Sequence, residues 1–333
     1  MLTPQLPEIF ERFRTLRVVV LGDVMIDSYL WGDVKRISPE APVPVVSVTQ
    51  TENRLGGAAN VALNVAALGA EVHVCAVVGN DDKAVLLEEC FAKSGLEAGA
   101  LVRSDERPTT VKTRIISDGQ HLLRVDQENT HLLSDDESVK LLARLEQLLN
   151  DVKPHVLIMQ DYNKGVLTEK VIESATEMCR MREIPTAVDP KKDQFLSYRG
   201  VDLFKPNLKE LREGLNLALD TDFEVSLQNA MSALHEKLGN RISLVTLSER
   251  GVAITDNERF EHLPAHDRKI IDVSGAGDTV ISVAALCLAL NLDLRIIAAL
   301  SNLAGGLVCE QVGVVPIDAD HLYNEACLLH PAR

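Results

Sequence analysis

Several features that would place this chain outside an aqueous, reducing compartment are absent from its sequence. The six cysteines are scattered, without a Cys-x-x-Cys pair, and most lie in apolar runs, which argues against disulfides and zinc. The N-terminus lacks the basic and apolar segments of a signal peptide. The longest apolar runs, 279–292 and 296–309, are too short to span a bilayer and are split by Asp293 and Arg295. We therefore expect a cytoplasmic protein without a membrane partner.

The sequence also has fewer positively than negatively charged residues. Lys and Arg number 34 against 49 Asp and Glu, so the formal net charge is −15 at pH 7. A surface of that sign repels nucleic acids and anionic membranes over most of its area. We expect no nucleic-acid partner, whereas a small anionic substrate would need only a local group of Lys and Arg side chains.

The remaining composition is that of a globular protein with a sizeable core, since 46% of the residues are hydrophobic and 25% are charged. Short β-branched runs alternate with helix-period segments along most of the chain. Strands are predicted at 18–21, 72–78, 155–159, 186–189, 203–205 and 242–247. Helices are predicted at 58–68, 82–93, 135–149, 169–181, 208–215 and 224–238. This alternation predicts an α/β fold, with a mostly parallel sheet covered on both faces by helices, in a single domain over residues 1–333.

Two segments interrupt the alternation. Residues 29–49 contain several prolines, which exclude a helix and favour an extended chain. Residues 109–125 contain two short strand patterns joined by Asp118-Gly119, a dipeptide typical of a hairpin turn. We interpret the two segments as a small antiparallel β lid that covers the site. An extension of the edge of the main sheet is the alternative.

The most informative motif is Asp-Val-Ser-Gly-Ala-Gly-Asp at 272–278, which precedes a long apolar helix pattern. Gly275, Ala276 and Gly277 leave backbone amides unobstructed at a helix N-terminus, where the helix dipole also favours an anion such as phosphate. Asp278 would lie beside that anion in the first turn, where a carboxylate can take a proton from an attacking hydroxyl. The motif therefore predicts phosphoryl transfer to an alcohol.

Two plainer interpretations fit the same motif. One is an ordinary strand–helix turn, with Asp278 as a favourable partner of the helix dipole. The other is a dinucleotide site, although Val280 replaces the third glycine of that fingerprint. The chain also lacks the Gly-x-x-x-x-Gly-Lys-Ser/Thr loop, so no lysine of that kind is expected to clamp phosphates.

Four other segments accompany the motif at predicted turns: 22–27, 54–60, 207–210 and 246–251. In this order and spacing they resemble the ribokinase-like (PfkB) sugar kinases over nearly the whole chain. Gly56-Gly57 and residues 272–278 match the two signatures of that family. The resemblance implies a ribokinase-like three-layer sandwich and ATP-dependent phosphorylation of a sugar hydroxyl.

Within that family the chain is similar to the D-glycero-D-manno-heptose-7-phosphate kinases. The similarity rests on Gly-Asp-Val-Met-Ile-Asp-Ser-Tyr at 22–29, Arg-Ile-Ser-Pro-Glu-Ala-Pro-Val-Pro at 36–44, Gln-Asp-Tyr-Asn-Lys-Gly at 160–165 and Val-Asp-Pro-Lys-Lys at 188–192. It implies phosphorylation of the anomeric hydroxyl, giving the heptose 1,7-bisphosphate used for ADP-heptose and lipopolysaccharide. Some relatives carry a fused nucleotidylyltransferase domain. The chain ends at Arg333 with no room for one, so we expect a stand-alone kinase.

The resemblance also implies roles for individual residues. Asp278 would be the base, and the amides of residues 275–277 would hold the transferring phosphoryl group. Asn207 and Glu210 would organise Mg²⁺ and its waters on the ATP phosphates. The residues along the nucleotide would be Ser248, Gly251 and Asn302. The contacts to sugar hydroxyls would come from Asp27, Gly56, Gly57 and Asn60.

A 7-phosphate needs cationic partners. The candidates are Lys164, Lys191, Lys192 and Arg114, and Asp193 is a candidate for holding a hydroxyl. A solvated surface charge is the alternative for each cation. Some family members use a monovalent cation near the segment that corresponds to the Asp272 loop. The apolar, proline-rich stretch 43–48 suggests that the lid strands pair across a homodimer, as in related kinases.

Three other functions remain open from the sequence. The nearest is another PfkB-family sugar or sugar-phosphate kinase, acting for example on ribose or fructose 6-phosphate. A non-catalytic sugar- or nucleotide-binding regulator is disfavoured by the presence of Asp278 together with Asn207 and Glu210, because a pure binder needs no base. A nicotinamide-dependent dehydrogenase is the third.

Overall fold

The computed structural model describes residues 6–217 and 223–329. Residues 1–5 and the C-terminal end at Arg333, which carry the signal-peptide and stand-alone predictions, lie outside this described part. The strands in chain order are β1 (Arg17–Gly22), β2 (Val24–Ile37), β3 (Pro44–Gly57), β4 (Glu71–Gly79), β5 (Ala100–Ser104), β6 (Val111–Ser117), β7 (Gln120–Gln127), β8 (Val156–Gln160), β9 (Thr186–Asp189), β10 (Leu203–Phe204), β11 (Ile242–Thr246), β12 (Val252–Thr255) and β13 (Phe260–Leu263). The helices are α1 (Leu6–Phe13), α2 (Ala58–Ala67), α3 (Asp82–Lys93), α4 (Asp135–Val152), α5 (Glu169–Arg180), α6 (Leu208–Leu215), α7 (Phe223–Leu238), α8 (Ala276–Ala289), α9 (Leu294–Val308) and α10 (Ala319–Leu329).

A nine-stranded sheet forms the centre of the molecule, in the order β13-β12-β11-β10-β9-β8-β1-β4-β5. Every pairing from β5 to β11 is parallel, whereas β12 and β13 add an antiparallel edge. The strands and helices predicted from the alternating pattern are present, with ends displaced by a few residues. The α/β fold with a mostly parallel sheet is therefore confirmed.

Strand β1 shows how the sequence builds the layers. Val18 and Val20 pack into a core with α2, α8 and α9, while Val19 and Leu21 pack into a second core with α4, α5 and α7. Successive side chains of a strand point to opposite faces of its sheet, so an uninterrupted apolar run is buried on both. Each such side chain contributes about 1.5–3 kcal/mol on burial. The three-layer arrangement follows from these two cores.

The two long apolar runs form the helix pair α8 and α9. Asp293 separates them and caps α9, since its side chain accepts a hydrogen bond from the backbone N–H of Arg295. The pair belongs to the core, because nearly all of α8 after its first two residues is buried. None of the described helices combines the length and apolar character that crossing a membrane requires.

A second, four-stranded sheet has the order β3-β2-β6-β7. It starts at the carboxyl end of the main sheet, because β2 follows β1 after the single residue Asp23. The β2–β3 and β6–β7 pairings are antiparallel, but β2 and β6 are parallel, since the chain returns through β4, α3 and β5 between β3 and β6. The small sheet predicted within 29–49 and 109–125 is confirmed, and its first two strands are longer than predicted. It is separate from the main sheet, so the edge-extension alternative is wrong.

Candidate active site

Asp278 is the third residue of α8 and is almost completely buried, with 4% of its surface exposed. Its Oδ2 accepts a hydrogen bond from Asn60 Nδ2 at 2.6 Å, and its Oδ1 accepts one from the Tyr162 hydroxyl at 2.7 Å. Gln160 Nε2 lies 3.4 Å from the same Oδ1. The carboxylate is thus held by α2 on one side and by the end of β8 on the other.

The electrostatic surroundings of Asp278 suit a base. Burial raises its pKa to about 6, and the nearby Asp189 carboxylate adds to this effect. The hydrogen bonds from Asn60 and Tyr162 and the ammonium of Lys205 act in the opposite direction. A carboxyl with this pKa is mostly ionised at neutral pH and still basic enough to accept a proton from a reacting hydroxyl.

The start of α8 opens onto a cavity of about 1960 Å³. Gly275 is the N-cap of the helix and has a left-handed φ of 81°, a conformation that glycine adopts without strain. Gly275, Ala276, Gly277 and Asp278 all line the cavity, so the predicted phosphate cradle and the predicted base share one wall. The cavity has room for a nucleotide.

Lys205 stands on the same wall, and its position was not predicted. Its side chain is buried, and its Nζ lies 3.0 Å from Oδ2 of the buried Asp189. A Cβ placed on Gly277 would lie 3.7 Å from both of these groups, so the ammonium is adjacent to the predicted phosphate cradle. The site therefore contains a buried ammonium beside the predicted phosphate cradle. The sequence signal for it is a charged residue at the end of a buried strand, directly before Pro206-Asn207.

Asn207 and Glu210 form a capping box at the start of α6. Asn207 Oδ1 accepts from the Glu210 N–H at 2.8 Å, and Glu210 Oε2 accepts from the Asn207 N–H at 2.8 Å. Lys191 Nζ lies 2.5 Å from Glu210 Oε1. Asn207 and Lys191 line the cavity, and Glu210 lies directly behind them. This part of the sequence thus builds a helix start as well as a polar wall.

The three residues predicted along the nucleotide also line the cavity: Ser248, Gly251 and Asn302. Asn302 Nδ2 donates to the carbonyl of Pro264 at 2.8 Å, which ties α9 to the chain that leaves β13. Gly251 has φ 87°, and a Cβ there would lie 2.1 Å from the carbonyl oxygen of Leu263. Glycine is required at position 251 because its backbone lies so close to that of Leu263.

The predicted sugar contacts lie on the lid side of Asp278. Asp27 is buried in β2 and forms an ion pair with Arg114 of β6. A Cβ on Gly56 would lie 2.3 Å from Asp27 Oδ2, so any side chain at this position would collide with the carboxylate. Gly57 has φ 61° and begins the turn into α2, which carries Asn60 to Asp278. The structure brings these four predicted residues together.

The predicted turn at 22–27, which would place Asp23 and Asp27 on one loop, is wrong. Asp27 belongs to β2, because the chain continues directly from the main sheet into the lid. Asp23 is buried, and its carboxylate accepts hydrogen bonds from the backbone N–H groups of Tyr162, Lys164 and Val166 at 2.8–3.2 Å. It organises the segment that follows β8.

The cations predicted for a sugar phosphate fall into three places. Arg114 lies on the lid, and Lys164 pairs with Glu128 after β7 at 2.8 Å. Lys191 lies on the cavity side, 5.5 Å from the centre of the Tyr162 ring. Lys192 and Asp193 are exposed.

Two further cations lie beside this group and were missed. Arg54 of β3 lies over the Tyr29 ring at 4.9 Å, next to Arg114 at 5.3 Å. Lys112 of β6 lies 2.9 Å from the other oxygen of Glu128. The registers Asp27↔Arg54 and Asp27↔Lys112 place these residues on one face of the lid. Only the strand pairing shows this, because nothing in the local sequence sets the register.

Comparison with known proteins gives three consistent findings. A family model described as "pfkB family carbohydrate kinase" matches residues 15–320. A protein of Pelobacter propionicus named "Bifunctional protein HldE" is 38% identical over 329 residues, which cover 97% of this chain and 65% of that protein. The protein of the same name from Aliarcobacter butzleri is 38% identical over 316 residues, covering 95% and 65%. The chain thus spans about 65% of the length of these curated relatives.

Solved structures share the fold at low sequence identity. Phosphofructokinase-2 from Escherichia coli in complex with potassium superposes with a TM-score of 0.78 at 20% identity, covering 93% of this chain and 99% of that one. Arabidopsis thaliana ribokinase complexed with ribose and ATP superposes with a TM-score of 0.69 at 18% identity, covering 92% and 98%. These likenesses show a ribokinase-like fold.

Proposed function

The chain belongs to the pfkB family of carbohydrate kinases, and we propose that its acceptor is D-glycero-D-manno-heptose 7-phosphate. As an ATP-dependent sugar kinase it transfers a phosphoryl group to a sugar hydroxyl. The proposed hydroxyl is the anomeric one, and the proposed product is the heptose 1,7-bisphosphate of ADP-heptose and lipopolysaccharide synthesis. The sequence similarity at 22–29, 36–44, 160–165 and 188–192 supports this choice of sugar.

One observation carries the proposal. The Asp278 carboxylate lies at the start of α8, between the large cavity and Asn60 of α2, which is on the lid side of the site. A hydroxyl held beside Asp27 and Asn60 and a phosphoryl group held at residues 275–277 would approach each other at Asp278. Holding two reactants in this geometry is a large part of catalysis in phosphoryl transfer.

In the proposed mechanism the chain contributes a base, an anion cradle and a cation. Asp278 takes the proton of the acceptor hydroxyl as its oxygen attacks the γ-phosphorus, and the bond from phosphorus to the ADP oxygen breaks in line. The amides of residues 275–277 and the ammonium of Lys205 lie where the transferring group becomes more negative. Closure of the lid would keep water from the same phosphorus.

Mg²⁺ fits Glu210, the carboxylate behind this wall, in an outer position. Within the described part of the chain each oxygen of Glu210 has one hydrogen-bonding partner, so each keeps a lone pair for a water. Among the described residues there is no group of three His, Cys, Asp or Glu side chains that could hold a metal. Mg²⁺ usually keeps several waters and binds substrate phosphates, so Glu210 would hold it through water. When bound with ATP, it supplies charge neutralisation for the phosphates.

A phosphorylated acceptor explains two sheltered cations, Arg114 of the lid and Lys164, which follows β8 and pairs with Glu128 just after the last lid strand. Arg114 and Lys164 are partly buried in ion pairs, with side-chain exposures of 16% and 14%. Cations that are ordered and sheltered in this way lose little rotamer freedom when they bind a phosphate. Asp27 and Glu128, their present partners, would share them with the incoming dianion.

We also propose a homodimer formed through the lid, in a cytoplasmic protein with one kinase domain. Hydrophobic side chains on or next to the two edge strands of the lid, β3 and β7, are exposed, among them Val43, Val48, Leu123 and Val125, with exposures of 49–57%. Exposed apolar edge strands favour pairing with a second chain. Light scattering at working concentration tests it, and a monomer would contradict it. Stimulation by KCl over NaCl would support a monovalent-cation site near Asp272.

The experiment for the proposed function measures ADP release from Mg²⁺-ATP with a panel of four sugars: D-glycero-D-manno-heptose 7-phosphate, the free heptose, ribose and fructose 6-phosphate. Rapid release with the heptose phosphate alone is the expected result. A preference for another sugar would overturn the choice of acceptor. Bound ATP without turnover on any sugar would favour a non-catalytic regulator.

A further inference from the structure

Two tyrosines in this protein donate hydrogen bonds to buried aspartates, and they differ in one respect. Tyr162 donates to Asp278 at 2.7 Å, and Tyr198 donates to Asp161 at 2.8 Å. Burial is the main cause that raises the pKa of each aspartate to about 6. Only Tyr162 lines the large cavity, whereas Tyr198 is packed in the core beneath the sheet. The pair Tyr162–Asp278 therefore has access to substrate, whereas the pair Tyr198–Asp161 does not.

The position of Tyr162 is fixed from the backbone. Its N–H donates to Asp23 at 2.8 Å, and Asp23 also accepts from the N–H groups of Lys164 and Val166. The Lys191 ammonium lies 5.5 Å from the ring centre on the cavity side. These contacts hold the backbone of Tyr162 in place and set a cation beside its ring, and the phenol itself is oriented by its hydrogen bond to Asp278.

The two oxygens of Asp278 are not equivalent. Oδ1 faces two donors, the Tyr162 hydroxyl at 2.7 Å and Gln160 Nε2 at 3.4 Å. Among the residues that the structure describes, Oδ2 accepts only from Asn60, at 2.6 Å. A carboxylate oxygen has room for about two donors, so Oδ2 is the oxygen with a vacant lone pair. It also lies on the side of Asn60, from which the acceptor is expected to approach.

We propose that Tyr162 is the positioning residue of the base: it occupies Oδ1, so that Oδ2 receives the proton of the acceptor, and it keeps the carboxylate ionised. The inference rests on the proposed role of Asp278 and extends it to a residue outside the family signatures. The proton passes from the acceptor hydroxyl to Oδ2, while the phenol keeps its own proton throughout.

The charged groups around Asp278 come from several elements. Asp189 at the end of β9 disfavours ionisation, and Lys205 after β10 favours it. Lys191 is attracted to Asp278 from the segment after β9, and Asp27 of β2 acts on Tyr162 from the lid. Asn60 and Gln160 are neutral. Burial and Asp189 both raise the pKa of Asp278. If the phenol is removed, one hydrogen bond fewer opposes that rise.

The test compares Tyr162→Phe with the matched control Tyr198→Phe, using the sugar that turns over fastest in the panel. Each variant loses one phenol that donates to a buried aspartate. The first measurement is the pH profile of kcat/KM, whose acid limb reports the base of the free enzyme. The second is the ¹³C titration of aspartate carboxyls, with Asp278→Asn identifying the signal.

We expect Tyr162→Phe to move the acid limb and the Asp278 titration upwards by about one pH unit, because a hydrogen bond to a charged group changes its ionisation equilibrium about tenfold. The KM for ATP should not change, and Tyr198→Phe should move neither midpoint. If both variants only lower thermal stability and the Asp278 midpoint stays in place, Tyr162 has a structural role and the inference is wrong. The titration needs no substrate, so it still decides the matter if the choice of acceptor fails.

A second perturbation guards against a phenylalanine variant that does not fold. Replacing Tyr162 by 3,5-difluorotyrosine keeps the ring and hydroxyl but makes the phenol more acidic and hence a stronger donor. The acid limb and the Asp278 midpoint should then move downwards, opposite to the effect of phenylalanine. An unchanged midpoint in the fluorinated protein would contradict the inference.

Discussion

The site has two sides that are built in different ways: the phosphate side, which carries the predicted phosphate cradle at residues 275–277, and the lid side, which carries the predicted sugar contacts. On the phosphate side, the start of α8 with its left-handed Gly275 and the capping box of α6 each use backbone groups that are close in sequence, and the Lys205–Asp189 ion pair adds to them. On the lid side, side chains from distant strands pair with each other, as Arg114 does with Asp27, 87 residues away. One side depends on local backbone geometry and the other on strand register.

This difference separates two tasks. The phosphoryl group is the same for every sugar kinase, so amides fixed by a helix start can serve any of them. The acceptor differs from one sugar kinase to another, and side chains on a sheet can be exchanged without altering the strand that carries them. The two sides touch Asp278 through different residues, Asn60 from α2 and Tyr162 from the end of β8. Substitutions on each side should therefore have separable kinetic effects.

The largest effect is expected from Asp278→Asn, where the two sides meet. Loss of the proposed base should lower kcat by about 10²–10⁴-fold for every sugar that the enzyme accepts. ATP affinity should remain, because the amides at residues 275–277 and Lys205 are intact. Single-turnover kinetics and ATP titration measure the two quantities. Near-normal turnover would remove Asp278 from the mechanism and with it the meeting point of the two sides.

The local backbone structure of the phosphate side was predictable because its sequence signals are local, whereas the roles of its residues toward ATP and Mg²⁺ stay predictions. A Gly-Ala-Gly run before an apolar helix and an Asn-x-x-Glu capping box each require only neighbouring residues. Lys205 and Tyr162 were missed for a shared reason. Each follows a buried strand, and its importance comes from a neighbour on another strand or helix, Asp189 in one case and Asp278 in the other.

The lid was predictable as a sheet but not as a binding surface. Prolines and the Asp118-Gly119 turn located its strands, and both turn residues adopt the positive φ expected, 50° and 72°. The pairing of β2 with β6 brings Arg114 to Asp27, and no property of either segment alone specifies it. Because the sequence does not specify this strand pairing, Asp27 was assigned to a turn and not to β2.

The second-largest effect is expected from Gly56→Ala on the lid side. The new Cβ would lie 2.3 Å from Asp27 Oδ2, so either the carboxylate or β3 must move. A displacement of about 1 Å in a positioning group can lower the rate about 10²-fold, and we expect this loss in kcat/KM for the sugar. The KM for ATP should be unaffected, which separates this variant from changes at the start of α8.

Gly99→Ala is the matched control for that variant, because a Cβ there meets none of the described atoms within 4 Å. It should leave both KM values unchanged. If Gly56→Ala raised the KM for ATP as much as that for the sugar, the two sides would be coupled through β3 and the separation between them would be lost.

A smaller effect, specific to phosphorylated sugars, is expected from Arg114→Lys. Lysine keeps the charge but loses the planar fork that can hold a carboxylate and a phosphate together. The KM for a sugar phosphate should rise about tenfold, the size of one charge-assisted hydrogen bond. Arg124→Lys is the control, since that side chain is 58% exposed and pairs with Asp126 at the lid edge. An equal rise for the unphosphorylated sugar would show that Arg114 serves only to hold Asp27.

The smallest effect is expected from Lys192→Ala. This variant tests whether the lid alone recognises the phosphate group of the sugar. Lys192 is exposed beside Lys191, whose own ammonium is bound to Glu210 on the phosphate side. An exposed cation contributes little in water, so the KM for the sugar phosphate should change less than about twofold. Michaelis–Menten curves at two salt concentrations measure it. A rise as large as that of Arg114→Lys would place part of the phosphate subsite on the segment after β9, and acceptor recognition would then span both sides.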